Sequence, residues 1–150
     1  MNFNFKPIGV IHTAYTKEKN NAPFQSTEGD SKEFYVEIYT EHTKRLHLLD
    51  SFTYIYVIYY LHQVTKKPKE LVEPPMAQNT KVGLFASRSP NRINPIGLSV
   101  VKLKKIQRNK LLISGIDAFD NTPVIDIKPY IKKLDVKSDA NNGWVEKENK

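Results

Sequence analysis

The amino-acid sequence predicts a mostly-β barrel in a single domain, residues 1–150, with one or two short helices. Three observations lead there. Short runs rich in β-branched and aromatic residues recur along the chain, with turn-forming residues between them. No internal repeat or low-complexity linker divides the chain, which is long enough for one domain with its own core. Closing short strands into a barrel leaves no sheet edge unpaired.

The elements follow in order. Ile8 to Tyr15 is a first strand, with Gly9 marking a weak point or a close backbone approach. Asn20 to Pro23 and Glu28 to Asp30 are loop chemistry. From Glu33 to Tyr39 the residues alternate, with Phe34, Val36 and Ile38 on one face. Glu41 to Leu49 suits a short helix that turns Leu46 and Leu49 inward. Phe52 to His62 is apolar or aromatic at nearly every position and reads as a strand buried on both faces. Pro68, Pro74 and Pro75 mark a long loop. Val82 to Ala86 is a short strand that runs into a Ser87 to Pro95 loop. Leu98 to Ile106 and Leu111 to Asp117 flank a hairpin turn at Gln107 to Lys110. Val124 to Ile127 is a last short strand, and from Leu134 the chain turns polar, with a turn at Asn141 to Gly143 before Trp144.

Several function classes recede on composition. There is no cysteine, so disulfide scaffolds and thiolate zinc sites are excluded, and a reducing cytoplasm fits. His12, His42, His47 and His62 lack metal-ligand spacing, so no metal is expected. The N-terminus does not read as a signal peptide, and the apolar run from Phe52 to Leu61 is too short to span a bilayer, so no membrane partner is expected. The glycines are isolated, which leaves no phosphate-cradling loop and no dinucleotide fingerprint. The formal net charge of +7 either solubilises the surface or attracts a polyanion. Lys102, Lys104, Lys105, Arg108 and Lys110 are its densest cluster.

Two segments carry chemistry. In Phe85 to Ser99, Arg88 and Arg92 lie four apart in a loop that also carries Pro90 and Pro95. Such a loop can hold guanidinium forks for a carboxylate or phosphate, or it is a surface turn with incidental arginines. Asp117, Asp120 and Asp126 lie within ten positions of one another around an Asp-Asn-Thr-Pro turn. Asp126 falls inside an apolar strand and needs a partner there. It is either functional or paired with Lys128 or an arginine, and Asp120 is either functional or the cap of its own turn.

On these segments the chain resembles the TsaA-like family, whose characterised members include the TrmO methyltransferases. The residues that carry the resemblance are Ile8 to Thr13, Pro23-Phe24-Gln25, Leu49 to Ile55, Leu61-His62, Phe85 to Leu103, Asp120 to Tyr130, and Gly143-Trp144. Two positions depart from the family pattern: Ile93 stands where a proline is usual, and Asn121 where a glycine is usual. The longer bacterial members carry a C-terminal extension that this chain lacks.

The resemblance implies a single-sheet β-barrel that binds S-adenosyl-L-methionine (SAM) near a homodimer interface. The implied cofactor contacts are Pro23, Phe24, Gln25, His62, Gln63, Arg88, Leu98, and the turn Asp120, Asn121, Thr122 and Pro123. His62 could equally be a core histidine with a backbone partner. The implied reaction is methylation of N6 in threonylcarbamoyl-adenosine beside the anticodon of tRNA, in the cytoplasm. Asp120 or Asp126 is the candidate general base, with His62 behind them. Arg92, Lys102, Lys104, Lys105 and Arg108 are the candidate RNA contacts, and Tyr54, Tyr56, Tyr59 or Tyr60 could stack on a base. Two rival readings are a SAM-dependent methyltransferase of a small metabolite and a non-catalytic RNA-binding barrel.

Overall fold

A computed structural model describes residues 1–19, 22–23, 33–77 and 79–145. Among the described residues eight strands form, at Gly9–His12 (β1), Phe34–Ile38 (β2), Tyr54–Tyr60 (β3), Leu71–Val72 (β4), Val82–Gly83 (β5), Ile96–Gln107 (β6), Lys110–Ile113 (β7) and Thr122–Pro129 (β8). Six of them close one antiparallel barrel in the order β1-β2-β7-β6-β3-β8, and β8 pairs back to β1. Strands β4 and β5 form a separate two-stranded sheet.

The barrel is filled from every wall. Ile11, Val36, Ile55, Val57, Val101, Leu111 and Val124 are fully buried, because their alternate positions all point inward. Each such side chain is worth roughly 1.5–3 kcal/mol when buried. The short helix expected over Glu41 to Leu49 forms as two 3-10 turns, Thr40–Leu46 and Leu49–Ser51, which pack Leu46 and Leu49 against the core.

Register defines the two ends. At one end β1 and β3 finish and β2, β6 and β8 begin: Ile11 faces Thr122, His12 faces Tyr35, and Tyr60 faces Ile96. At the other end lies the two-residue turn of Arg108 and Asn109, where Asn109 O accepts from Ile38 N. Arg108 takes a left-handed backbone there, φ 57°.

Several elements differ from the sequence expectation. Strand β3 is buried on its inner face only; Tyr54, Tyr56 and Ile58 face outward and stay half-exposed. The loop expected around Pro68 to Pro75 contains β4. The strand expected at Val82 to Ala86 is two residues long and passes into a 3-10 turn, Leu84–Ala86. Strand β8 is longer than expected and carries a bulge: Ile58 pairs with Asp126 and Tyr59 with Val124, which leaves Ile125 extra. The bulge flips the alternation that follows.

Candidate functional site

The turn before β8 is docked onto β1. Asp120 N donates to Tyr15 O at 2.8 Å and Asn121 N to Ile11 O at 2.9 Å. Asp120 Oδ1 accepts from Thr13 N at 3.1 Å, and Asn121 Nδ2 donates to Asp120 Oδ2 at 3.1 Å. The hydroxyl of Thr122 donates to Phe119 O at 2.7 Å. Asn121 sits at φ 62°, a conformation asparagine tolerates better than most side chains, so the turn survives without the usual glycine.

His12 adjoins this turn. Its Nδ1 is 3.5 Å from Asp120 Oδ1 and its Nε2 is 3.6 Å from Glu37 Oε2, while its ring stacks on Tyr35 with centroids 4.7 Å apart. Sequence reasoning did not single out His12 as a site residue. The only signals were its place in the matching Ile8 to Thr13 segment and its outward parity on β1.

Strand β3 leaves the barrel at the same end and presents His62 and Gln63. Leu61 N donates to Pro95 O at 2.8 Å, and Lys17 Nζ donates to Gln63 O at 3.1 Å, so the segments after β1, after β3 and before β6 meet here. Partial burial pushes the His62 imidazole below its ordinary value, and a hydrogen bond to the Tyr60 backbone opposes that push. The neutral ring is thereby favoured near pH 7. Gln63 Nε2 stands 3.4 Å from His62 Nε2. Gln63 Oε1 is buried and has no hydrogen-bond partner among the described residues. Such an orphaned acceptor is costly unless a donor arrives.

Beneath this rim, Tyr59 and Ser99 both donate to Asp117 Oδ1, at 3.1 and 2.8 Å. Burial pushes the Tyr59 hydroxyl well above its ordinary value, and the Asp117 charge adds to the effect. Gly97 leaves room for the Tyr59 ring: a Cβ on Gly97 would lie 2.1 Å from Tyr59 Cε2.

The other expected residues divide. Pro23 is half-buried, whereas Phe24 and Gln25 lie outside the described residues. Arg88 is exposed and makes no polar contact among the described residues. Its loop joins β6 at the end where the Asp120 turn sits. Leu98 is 63% exposed on the outer face of β6, so it does not line the barrel interior.

Three further sets of expected residues have surroundings of their own. Arg92, expected at phosphate, uses Nη1 on the carbonyls of Ser87 at 2.9 Å and of Leu84 and Ser89 at 3.4 Å, so it clamps its own loop. Asp126, expected as a possible base, is turned outward by the β8 bulge. Its side chain is 44% exposed and pairs with Lys128 Nζ at 2.9 Å. Lys102, Lys104, Lys105 and Arg108 line the outer face and far turn of the barrel, toward the end opposite Asp120. Of the tyrosines, Tyr59 is committed to Asp117 and Tyr56 packs on Tyr130, while Tyr60 is exposed at the rim.

Among the described residues no group of three or more His, Cys, Asp or Glu could hold a metal ion, and no helix is long and apolar enough to cross a membrane. The rim can instead hold an organic zwitterion. Arg88 offers a fork for a carboxylate, Gln63 Oε1 an acceptor for an amine, and Asp120 an anionic oxygen near His12.

Comparison with known proteins agrees with this chemistry. Residues 10–136 match the family described as the tRNA-methyltransferase O N-terminal domain. A probable S-adenosyl-L-methionine-binding protein of Pyrococcus abyssi is 39% identical over 143 residues, covering 95% of this chain and 76% of that protein. A human tRNA (adenine(37)-N6)-methyltransferase is 33% identical over 137 residues, covering 87% of this chain and 30% of that protein. A crystal structure of TrmO superposes with a TM-score of 0.78 at 30% identity, covering 95% of this chain. The chain spans 64% of the length of that solved chain.

Proposed function

The chain belongs to the family of the tRNA-methyltransferase O N-terminal domain, and on that premise we propose that it is a SAM-dependent tRNA methyltransferase whose acceptor is N6 of threonylcarbamoyl-adenosine beside the anticodon. One observation carries the reading. The segments that hold His62, Gln63, Arg88 and the Asp120 turn converge on one barrel end, where Gln63 Oε1 is buried without a hydrogen-bond partner among the described residues. With tRNA as its substrate, the proposed location is the cytoplasm.

SAM, when bound, supplies a methyl group on an electrophilic sulfonium. The residues fit such a ligand: Arg88 for its carboxylate, Gln63 Oε1 for an amine hydrogen, and the neutral His62 ring for a further polar contact. The acceptor nitrogen is part of a urea and is a poor nucleophile. Alignment of the two reactants can lower such a barrier by about 7–11 kcal/mol in favourable cases. Asp120 takes the N6 proton as that nitrogen gains the methyl group. The turn is held by its bonds to Thr13, Tyr15 and Ile11, so Asp120 stays in place without induced movement.

The same reading makes the protein a homodimer. Ile96, Leu98 and Val100 on β6 and Tyr60 on β3 form an exposed apolar strip, suited to a second copy across a two-fold axis. That strip adjoins the rim, which accounts for a Leu98 contact from outside the barrel.

The test is Asp120→Asn, which keeps an oxygen for Thr13 N but removes the base. It should lower kcat for methyl transfer to tRNA by about 10²- to 10⁴-fold, with SAM affinity retained. Undiminished kcat would remove Asp120 from the mechanism. Wild-type protein that binds SAM but labels no RNA would remove tRNA as the substrate.

A further inference from the structure

We propose that the insert between β3 and β6 is the surface on which the RNA docks, its phosphodiester backbone lying in a groove of about 540 Å³ edged by Lys66, Lys67, Lys69 and Lys81. The inference rests on the tRNA reading above and names the face that meets this substrate.

Topology places the groove at the rim. Tyr60 pairs with Ile96, so everything from 61 to 95 leaves and re-enters the barrel at the end that carries the Asp120 turn. The insert is a built platform. Strands β4 and β5 pair Leu71 with Gly83 and Val72 with Val82, and Leu84 N donates to Glu70 O at 2.9 Å. Ala77 and Leu84 are buried within it, and Trp144 Nε1 donates to Ala86 O at 2.8 Å.

Charge gives the partner's chemistry. All four lysines are exposed, and none is in an ion pair among the described residues. Glu73 is the one carboxylate lining the groove, so a strong positive excess faces solvent. Ser89, the chain neighbour of Arg88, and Asn91 also line the groove. By contrast, Arg108 lies eleven residues along the chain from Gly97, on the order of 35 Å at strand rise. An RNA held only there would have to bridge the length of the barrel to reach Asp120. Lysines at a rim position the backbone without reading sequence.

The experiment compares the full chain with a K66Q/K67Q/K69Q/K81Q variant and a K102Q/K104Q/K105Q variant. RNA affinity is read by fluorescence anisotropy with an anticodon stem-loop across a salt series, and methyl transfer by KM for tRNA. The fourfold variant should weaken RNA binding on the order of tenfold or more, and lower the slope of log K against log salt by roughly 3. Its KM for tRNA should rise while its calorimetric affinity for SAM stays that of the parent. An equal or larger loss in the threefold variant overturns the proposal, as does a parent that binds no RNA. A parent that binds RNA through the groove yet transfers no methyl to it would defeat the functional reading and leave the docking surface standing. If the substitutions abolish binding to phosphatidylserine vesicles and leave RNA affinity unchanged, the face belongs to a membrane and the proposal fails.

Discussion

Tyr59 donates its hydroxyl hydrogen to Asp117 Oδ1 at 3.1 Å, which fastens a barrel strand to the segment that leads into the Asp120 turn. Ser99 donates to the same oxygen at 2.8 Å, so β3, β6 and the turn share one half-buried carboxylate. The Tyr59 ring reaches Asp117 by crossing β6 at Gly97, where there is no side chain to stop it.

Gly97→Ala should therefore destabilise the barrel by about 1–3 kcal/mol, as overpacking does in a filled core. The ring cannot swing away without giving up both its burial and its bond. Gly83 is the control, since a Cβ there meets nothing within 4 Å. Gly83→Ala should be neutral or stabilising by about 0.4–1 kcal/mol. Urea unfolding of the two variants checks both signs.

Alkaline pH should weaken the fold through Tyr59. Burial holds its hydroxyl neutral in the folded protein well above the ordinary value of 10.0. The unfolded chain ionises near that ordinary value. Below it, both states keep the proton and the stabilisation is complete. Above it, the unfolded state alone loses the proton, so stability falls as pH rises. Thermal unfolding from pH 9 to 11 should show a steeper decline in the parent than in Tyr59→Phe. Parallel declines would show that Tyr59 ionises as easily folded as unfolded.

Gln63 should separate stability from binding. Its Oε1 is a buried acceptor without a partner among the described residues, so Gln63→Leu removes an unsatisfied polar group. The variant should be as stable as the parent or slightly more so. Its SAM affinity should nevertheless fall by about 10- to 100-fold, the worth of a lost buried hydrogen bond of about 1–3 kcal/mol. Calorimetry and melting temperature together read the two effects.

The two loop arginines should split in the opposite way. Arg92 spends Nη1 on three carbonyls of its own loop, whereas Arg88 is exposed. Arg92→Ala should lower thermal stability by about 1–3 kcal/mol, because part-buried carbonyls lose a charged donor. Arg88→Ala should leave stability within about 0.5 kcal/mol and weaken SAM binding instead.

Much of the barrel was legible because alternation reports a half-buried strand: Phe34, Val36 and Ile38 read as inward, and they are. Strand β3 was over-read as buried on both faces. Its outward tyrosines tolerate water at the hydroxyl while their rings pack, as Tyr56 does on Tyr130. Prolines hid β4 and the start of β8, since the pattern cannot show that Pro123 sits opposite Val10 where it is tolerated. Asp126 pairs with Lys128, one of its two readings, but its outward turn depends on one unpaired residue, Ile125, and a bulge leaves no mark in composition. The site segments stood out as loops dense in Arg, Asp, Asn and Pro. Their convergence depends on strand register, which only the closed sheet supplies. A lone His12 carried too little signal to be separated from a packing histidine.

The most direct test of the account supplies purified protein with SAM bearing a deuterated methyl group and with tRNA from cells that lack this protein. The RNA is then digested to nucleosides and analysed by mass spectrometry. The account predicts the deuterated methyl on threonylcarbamoyl-adenosine, and its absence with Asp120→Asn. Label on another nucleoside, or none on RNA from a protein that binds SAM, would contradict it.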